Sequence, residues 1–203
     1  MSRTTATDLA RIIKTRAAGQ ERILVAIAGA PGSGKSTLAA NLATRLGPMA
    51  EVLPMDGFHL DNARLRQMGL FHRKGAPETF DAESFVKLLR DMRTTACVSY
   101  PVFDREADKT VPDAGHIDKH IRIVLVEGNY LLLNTAPWSD LAGVFDVTVQ
   151  IDVPRDVLEA RLVARWRDHG LPAAQARARA LGNDMKNADH VMENSREADF
   201  ILR

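Results

Sequence analysis

The stretch 29–37, GAPGSGKST, constrains this chain more than any other. An apolar run at 23–28, ILVAIA, leads into it, and Leu38, Leu42 and Leu46 follow at helical spacing. Strand, glycine loop and helix in that order is the setting that a phosphate-binding loop requires. Gly29, Gly32 and Gly34 let the backbone turn its N–H groups toward an anion with no Cβ in the way. The helix starting at the loop aims the positive end of its dipole at the same place. Lys35 then reaches the outer phosphates and the Ser36 hydroxyl can ligate Mg²⁺, with Ser33 and Thr37 completing the cradle. With glycine at ~7% of residues, chance produces such a pattern in under ~1% of chains this long. A chance glycine-rich turn would also lack the flanking strand and helix. The loop predicts binding of a nucleoside triphosphate; it does not say what happens to the nucleotide.

The remaining pattern says what carries the loop. At 203 residues the chain can build one sizeable core, enough for a three-layer α/β domain. Apolar segments at 22–28, 51–55, 96–100, 121–126, 145–151 and 200–202 read as strands, the last at a sheet edge. Helical patterns lie between them. The loop's own helix stops near Gly47-Pro48. Asp81 serves as N-cap for a helix burying Phe85, Leu88, Leu89 and Met92. Pro154 opens another, and 173–194 reads as helix. Strands alternating with helices predict a parallel, doubly wound sheet. Leu9, Ile12 and Ile13 share one face of 4–18, so residues 1–20 are expected to pack a helix on the domain. One domain over 1–203 is expected, with about 155–190 forming a lid and the helix after it.

Charge and composition exclude several classes. With 27 Lys and Arg against 26 Asp and Glu, the net charge of +1 argues against a dedicated nucleic-acid or anionic-membrane binder. Aromatics at 5% leave little for base stacking. Cys97 is the single cysteine, so no internal disulfide forms, and it is expected as a small buried hydrophobe. No apolar run nears the ~18 residues of a membrane span, and the first 19 residues lack the apolar core of a leader. A cytoplasmic location is the expectation. His116, His120, His169 and His190 show no metal-ligand spacing.

Ligands of an open parallel sheet sit beyond the carboxyl ends of its strands. Three strands end there in chemistry: the glycine loop, then Asp56, then Glu127. Asp56 suits a base that takes or orients an acceptor hydroxyl, although a turn aspartate would look the same. Glu127 closes a buried strand, a place that commonly holds Mg²⁺ directly or through water. Arg161 and Arg165 share a helix face and suit transition-state charge, but equally a solvated face beside Asp156 and Glu159. His59 and His72 lie in the polar segment after the second strand, where they can touch an acceptor.

The blocks MDGFHLDN, RKGAPETFD, YPVFDRE and VLVEGNYLL follow GAPGSGKST in that order. Together they resemble the P-loop kinases that include uridine kinase, pantothenate kinase and phosphoribulokinase. The short bacterial members named as fructose transport system kinases resemble the chain most, from about residue 22 to 200. The resemblance implies a nucleotide-kinase-like sheet of five parallel strands with a helical lid. It implies Asp56 as catalytic aspartate, Lys35 and Ser36 as phosphate and Mg²⁺ groups, and Glu127 as the strand-end acid. Phe103, Asp104 and Arg105 fall where relatives bind the acceptor, with His59 and Arg73 joining them, and Arg161 and Arg165 fall on the lid. Phe58-His59 stand where uridine kinases carry a tyrosine. The activity implied is ATP- and Mg²⁺-dependent transfer of the γ-phosphate to a hydroxyl of a small metabolite. A sugar or sugar-like acceptor is favoured by the transport-linked members; pantothenate and uridine-type nucleosides are the alternatives. A reading from another class is a regulatory ATPase in which 56–81 acts as a switch loop. A homodimer is compatible with the residues.

Overall fold

The computed structural model describes residues 2–203. Its organising strand, β2 (Ile23–Gly29), is buried at every position, which is why it reads as continuous apolar sequence rather than alternation. It pairs in parallel with β6 (Ile123–Gly128) on one side and β7 (Val147–Ile151) on the other. Outside these lie β3 (Ala50–Pro54) and β8 (Phe200–Leu202), giving the expected five parallel strands. A two-residue strand, β1 (Ser2–Arg3), adds to β8, so 200–202 is not the edge that its sequence suggested.

Successive side chains of β2 point to opposite faces, and each face has its own core. On one, Val25 and Ile27 meet Leu9 and Ile13 of α1 (Ala6–Ala17) and Leu38 and Leu42 of α2 (Lys35–Leu46). On the other, Leu24 and Ala26 belong with Phe85 and Leu89 of α4 (Ala82–Asp91) and with Trp138. Each such leucine or phenylalanine side chain contributes roughly 1.5–3 kcal/mol on burial. The side chain of Asp81 accepts from the Ser84 N–H, so α4 begins as its sequence indicates.

Three expectations change. The segment 96–100 does not join the main sheet. Strand β4 (Val98–Asp104) instead pairs antiparallel with β5 (Lys109–Ile117), and their register shifts between Tyr100 and Val102, around a proline that has no N–H to donate. Strand β5 looks like a polar loop in sequence because only Gly115 and Ile117 are buried along it. Cys97 is exposed just before β4 rather than buried. The helix expected over 173–194 is α6 (Ala173–Arg179) and α7 (Met185–Asn194), joined by a π-helical turn at Ala180–Asp184. That wider turn carries Asn183, which is buried. Helix α5 (Arg155–Asp168) starts behind Pro154 as expected and packs Leu158 and Leu162 beneath the glycine loop.

Arg22, one residue before β2, spends all five guanidinium N–H groups on backbone carbonyls. They are those of Ile121 (3.0 Å), Met92 (3.0 Å), Thr95 (2.8 Å), Ala96 (2.9 Å) and Asp118 (3.0 Å). The base of the sheet is thereby tied to the loops entering the hairpin and β6. Arg22→Ala is expected to cost about 2–4 kcal/mol, because charge-assisted bonds are lost and several carbonyls must find water. A urea unfolding curve with an unchanged midpoint would contradict this. Among the described residues no helix is long and apolar enough to cross a membrane.

Candidate active site

The register of the sheet aligns the site. Pro54, Glu127 and Ile27 are lateral neighbours on β3, β6 and β2, so Asp56 and the glycine loop emerge side by side at one rim with Glu127 between them. Gly32 (φ 80°) and Gly34 (φ 94°) are left-handed, conformations that favour glycine. Gly34 caps α2 without a side-chain bond, which leaves the first N–H groups of the helix open to an anion. Inside the loop, Ser33 Oγ is the one buried side-chain polar atom without a hydrogen-bond partner among the described residues. A glycine cradle with a buried, unpartnered hydroxyl fits a phosphate. Thr37 is exposed on α2 beside it.

Lys35 is buried, and its Nζ donates to the Ala30 carbonyl at 3.0 Å. Burial pulls its pKa down to about 8, against the opposing pull of Glu127 and Asp56. Glu127 is 6% exposed; burial raises its pKa, and the charge of Lys35 counteracts the rise. Its Oε1 accepts the Ser36 hydroxyl at 3.1 Å. Among the described residues there is no group of three or more His, Cys, Asp and Glu set to hold a metal. The adjacent Ser36 hydroxyl and Glu127 carboxylate would fit Mg²⁺, which takes one or two protein oxygens and fills its octahedron with phosphate and water.

Asp56 lies in a 3₁₀ turn, Met55–Phe58, directly after β3. Its Oδ2 accepts from Arg105 Nη2 at 2.7 Å. Arg105 arrives there because Asp104 Oδ1 accepts the N–H groups of Glu106 (3.0 Å) and Ala107 (2.9 Å), shaping the turn of the β4–β5 hairpin. The hairpin rests on the Asp56 turn through Gly57, where a Cβ would lie 1.8 Å from the Pro101 carbonyl oxygen. His59 follows, with its ring centroid 4.1 Å from that of Phe80 and 4.7 Å from that of Phe103. Its Nδ1 lies 2.7 Å from the Asp56 carbonyl oxygen, and burial lowers its pKa.

The structure therefore links Lys35, Ser36, Glu127, Asp56, Arg105, His59 and Phe103 along one rim of the sheet. Arg161 Nη1 reaches the loop, donating to the Gly32 carbonyl at 3.2 Å, and Arg165 lies near enough to Lys35 to depress its pKa. Arg73 is engaged elsewhere: it donates to Asn183 Oδ1 at 2.9 Å and pairs with Glu78 at 3.6 Å. Asp104 acts on the backbone of its own turn. Residues with no separate signal in sequence also matter here. Lys74 pairs with Asp108 at 2.7 Å, donates to Asn62 Oδ1 at 2.8 Å and lies over Phe103, latching the hairpin to α3 (Asn62–Gln67). Lys74 sat in the RKGAPETFD block, but its partner Asp108 is exposed and lies 34 residues away.

The model of the Phosphoribulokinase / Uridine kinase family matches residues 24–170. A Schizosaccharomyces pombe protein named provisionally as a uridine kinase is 38% identical over 197 residues, covering 91% of this chain and 84% of that one. The pantothenate kinase of Xanthobacter autotrophicus is 30% identical over 218 residues, covering 91% of this chain and 68% of that one. A crystal structure from Silicibacter sp. TM1040, described provisionally as a fructose transport system kinase, superposes with a TM-score of 0.94 at 45% identity. The match covers 98% of this chain and all of that one.

Proposed function

The chain belongs to the phosphoribulokinase / uridine kinase family, and from that premise we propose that it moves the γ-phosphate of ATP to a hydroxyl of a small sugar or sugar-like metabolite. One observation carries the reading: the sheet register sets Glu127 between the strand that ends in the glycine loop and the strand that leads to Asp56, and Ser36 of that loop donates to Glu127 Oε1 at 3.1 Å. The name of the Silicibacter neighbour supports a sugar acceptor.

The chemistry follows from the charges. The backbone N–H groups of Gly32, Gly34 and Lys35 and the Lys35 ammonium hold the phosphates in place. Ser36 and Glu127 would hold Mg²⁺, which when bound neutralises charge on the β- and γ-phosphates. The Asp56 carboxylate takes the hydrogen of the acceptor hydroxyl. As the new O–P bond forms, the bond from the γ-phosphorus to the bridging oxygen breaks and ADP leaves with that electron pair. Arg105 is released from Asp56 when the acceptor hydroxyl arrives, which frees its guanidinium for another acceptor oxygen. Within about 155–190, the lid and the helix after it, Arg161 and Arg165 bring positive charge over the transferring group, and closure of the lid keeps water from competing with the acceptor.

The test is ADP release from ATP and Mg²⁺ with a panel of sugars, polyols, pantothenate and nucleosides. Turnover stimulated by a sugar or polyol is the expected result. Stimulation by pantothenate or a nucleoside alone would reassign the acceptor, and a slow rate indifferent to every addition would favour the regulatory ATPase.

A further inference from the structure

The donors and acceptors facing the cleft restrict what can bind there. Asp56 and His59 are three residues apart on a 3₁₀ turn and its C-cap, where side chains i and i+3 eclipse and their Cα atoms lie about 6 Å apart. Both side chains therefore leave the turn on one side. His59 Nδ1 faces a carbonyl, which only accepts, so that nitrogen carries the hydrogen. In the neutral ring, Nε2 is then a bare acceptor. Among the described residues it has no hydrogen-bond partner, and it is not among the atoms sealed from solvent. The ring cannot swing away. Phe80 and Phe103 enclose it, and Thr110 Oγ1 donates to the His59 carbonyl at 3.1 Å. An antiparallel bridge to Phe80 also holds the His59 backbone.

The turn thus carries two acceptors on one side, the Asp56 carboxylate and His59 Nε2, with the Arg105 guanidinium as donor to the first. We propose that the acceptor is a polyol carrying a second hydroxyl on the carbon next to the one phosphorylated, and that His59 Nε2 selects it by accepting that hydroxyl's hydrogen. A ligand with a single hydroxyl leaves Nε2 without a partner, and one presenting carbonyl or ring-nitrogen acceptors there meets a lone pair. The proposal rests on the kinase reading above and names the chemistry of its acceptor.

The experiment has two arms. In the first, kcat/KM is measured for each polyol that stimulates ADP release and for its monodeoxy analogues. The parent protein is expected to prefer the intact diol by about 10–100-fold, the worth of one satisfied polar group in a partly buried site. His59→Asn keeps an amide near Nδ1 but offers nothing at Nε2, and should lower diol turnover to the level of the deoxy analogue. His59→Gln, whose amide oxygen reaches toward the Nε2 position, should restore part of the preference. Equal use of diol and deoxy compounds by the parent, or a preference that persists in His59→Asn, overturns the proposal and leaves the kinase reading intact. A panel in which nothing stimulates turnover overturns both. The second arm needs no turnover: side-chain ¹⁵N spectra should show His59 as the Nδ1–H tautomer, with Nε2 shifting on addition of the diol alone. An Nε2–H tautomer refutes the proposal whatever the kinetics give.

Discussion

Asp56→Asn should lower acceptor-dependent ADP formation by about 10²–10⁴-fold, the usual contribution of a positioned proton acceptor. The change keeps the shape of the side chain and removes its charge. In the structure that charge is matched by Arg105 at 2.7 Å on the cleft side, while the turn itself is held by backbone bonds and by Gly57 against Pro101. The loss should therefore fall on kcat with the acceptor saturating. Nucleotide affinity, set by the loop and α2, should stay near the parent's. Steady-state kinetics with both substrates varied separates the two. A residual rate equal to the parent's would remove Asp56 from the chemistry.

Lys35→Met should lower turnover with any acceptor by about 10²–10³-fold, comparable to removing one preorganised donor from a developing anion. Here nucleotide affinity should fall too, because the ammonium is buried beside the cradle. Its pH dependence has a definite sign. Burial brings the Lys35 pKa from 10.5 down to about 8, so the group is cationic below that pH and neutral above it in the nucleotide-free protein. Metal-free binding of ATP, followed calorimetrically, should weaken as pH rises through about 8 in the parent and lack that step in Lys35→Met. A parent affinity flat from pH 7 to 9.5 would contradict the assignment.

The sheet and its phosphate loop were legible because their signals are local. A fully buried strand must be apolar throughout, and a loop that wraps phosphate must carry glycine at set intervals, as β2 and 29–37 do. Asp56 and Glu127 were also readable, since each follows an apolar run directly. The hairpin was not. Strand β5 buries only two of its residues, and its partner contains a proline, so neither half shows the alternation of a half-buried strand. The latch of Lys74, Asn62 and Asp108 depends on a turn residue at φ 48° meeting two distant segments, which no periodicity encodes. Arg73 has a partner that its block did not suggest: its guanidinium lies against Asn183 of a π-turn that the helical pattern conceals. Cys97 was misplaced for the same reason as the hairpin, because the strand expected to bury it starts one residue later and away from the main sheet.

The contact between Gly57 and the Pro101 carbonyl has a mechanical consequence. Main chain meets main chain there with no side chain between to absorb movement, and the two segments join the residue that would bind the hydroxyl to the arm that lies over it. A ligand that tilts the arm must displace the turn carrying the carboxylate by a comparable amount. Recognition of the cargo and aiming of the reactive oxygen are then one motion, so a poorly fitting compound leaves the carboxylate misaligned even when it occupies the cleft.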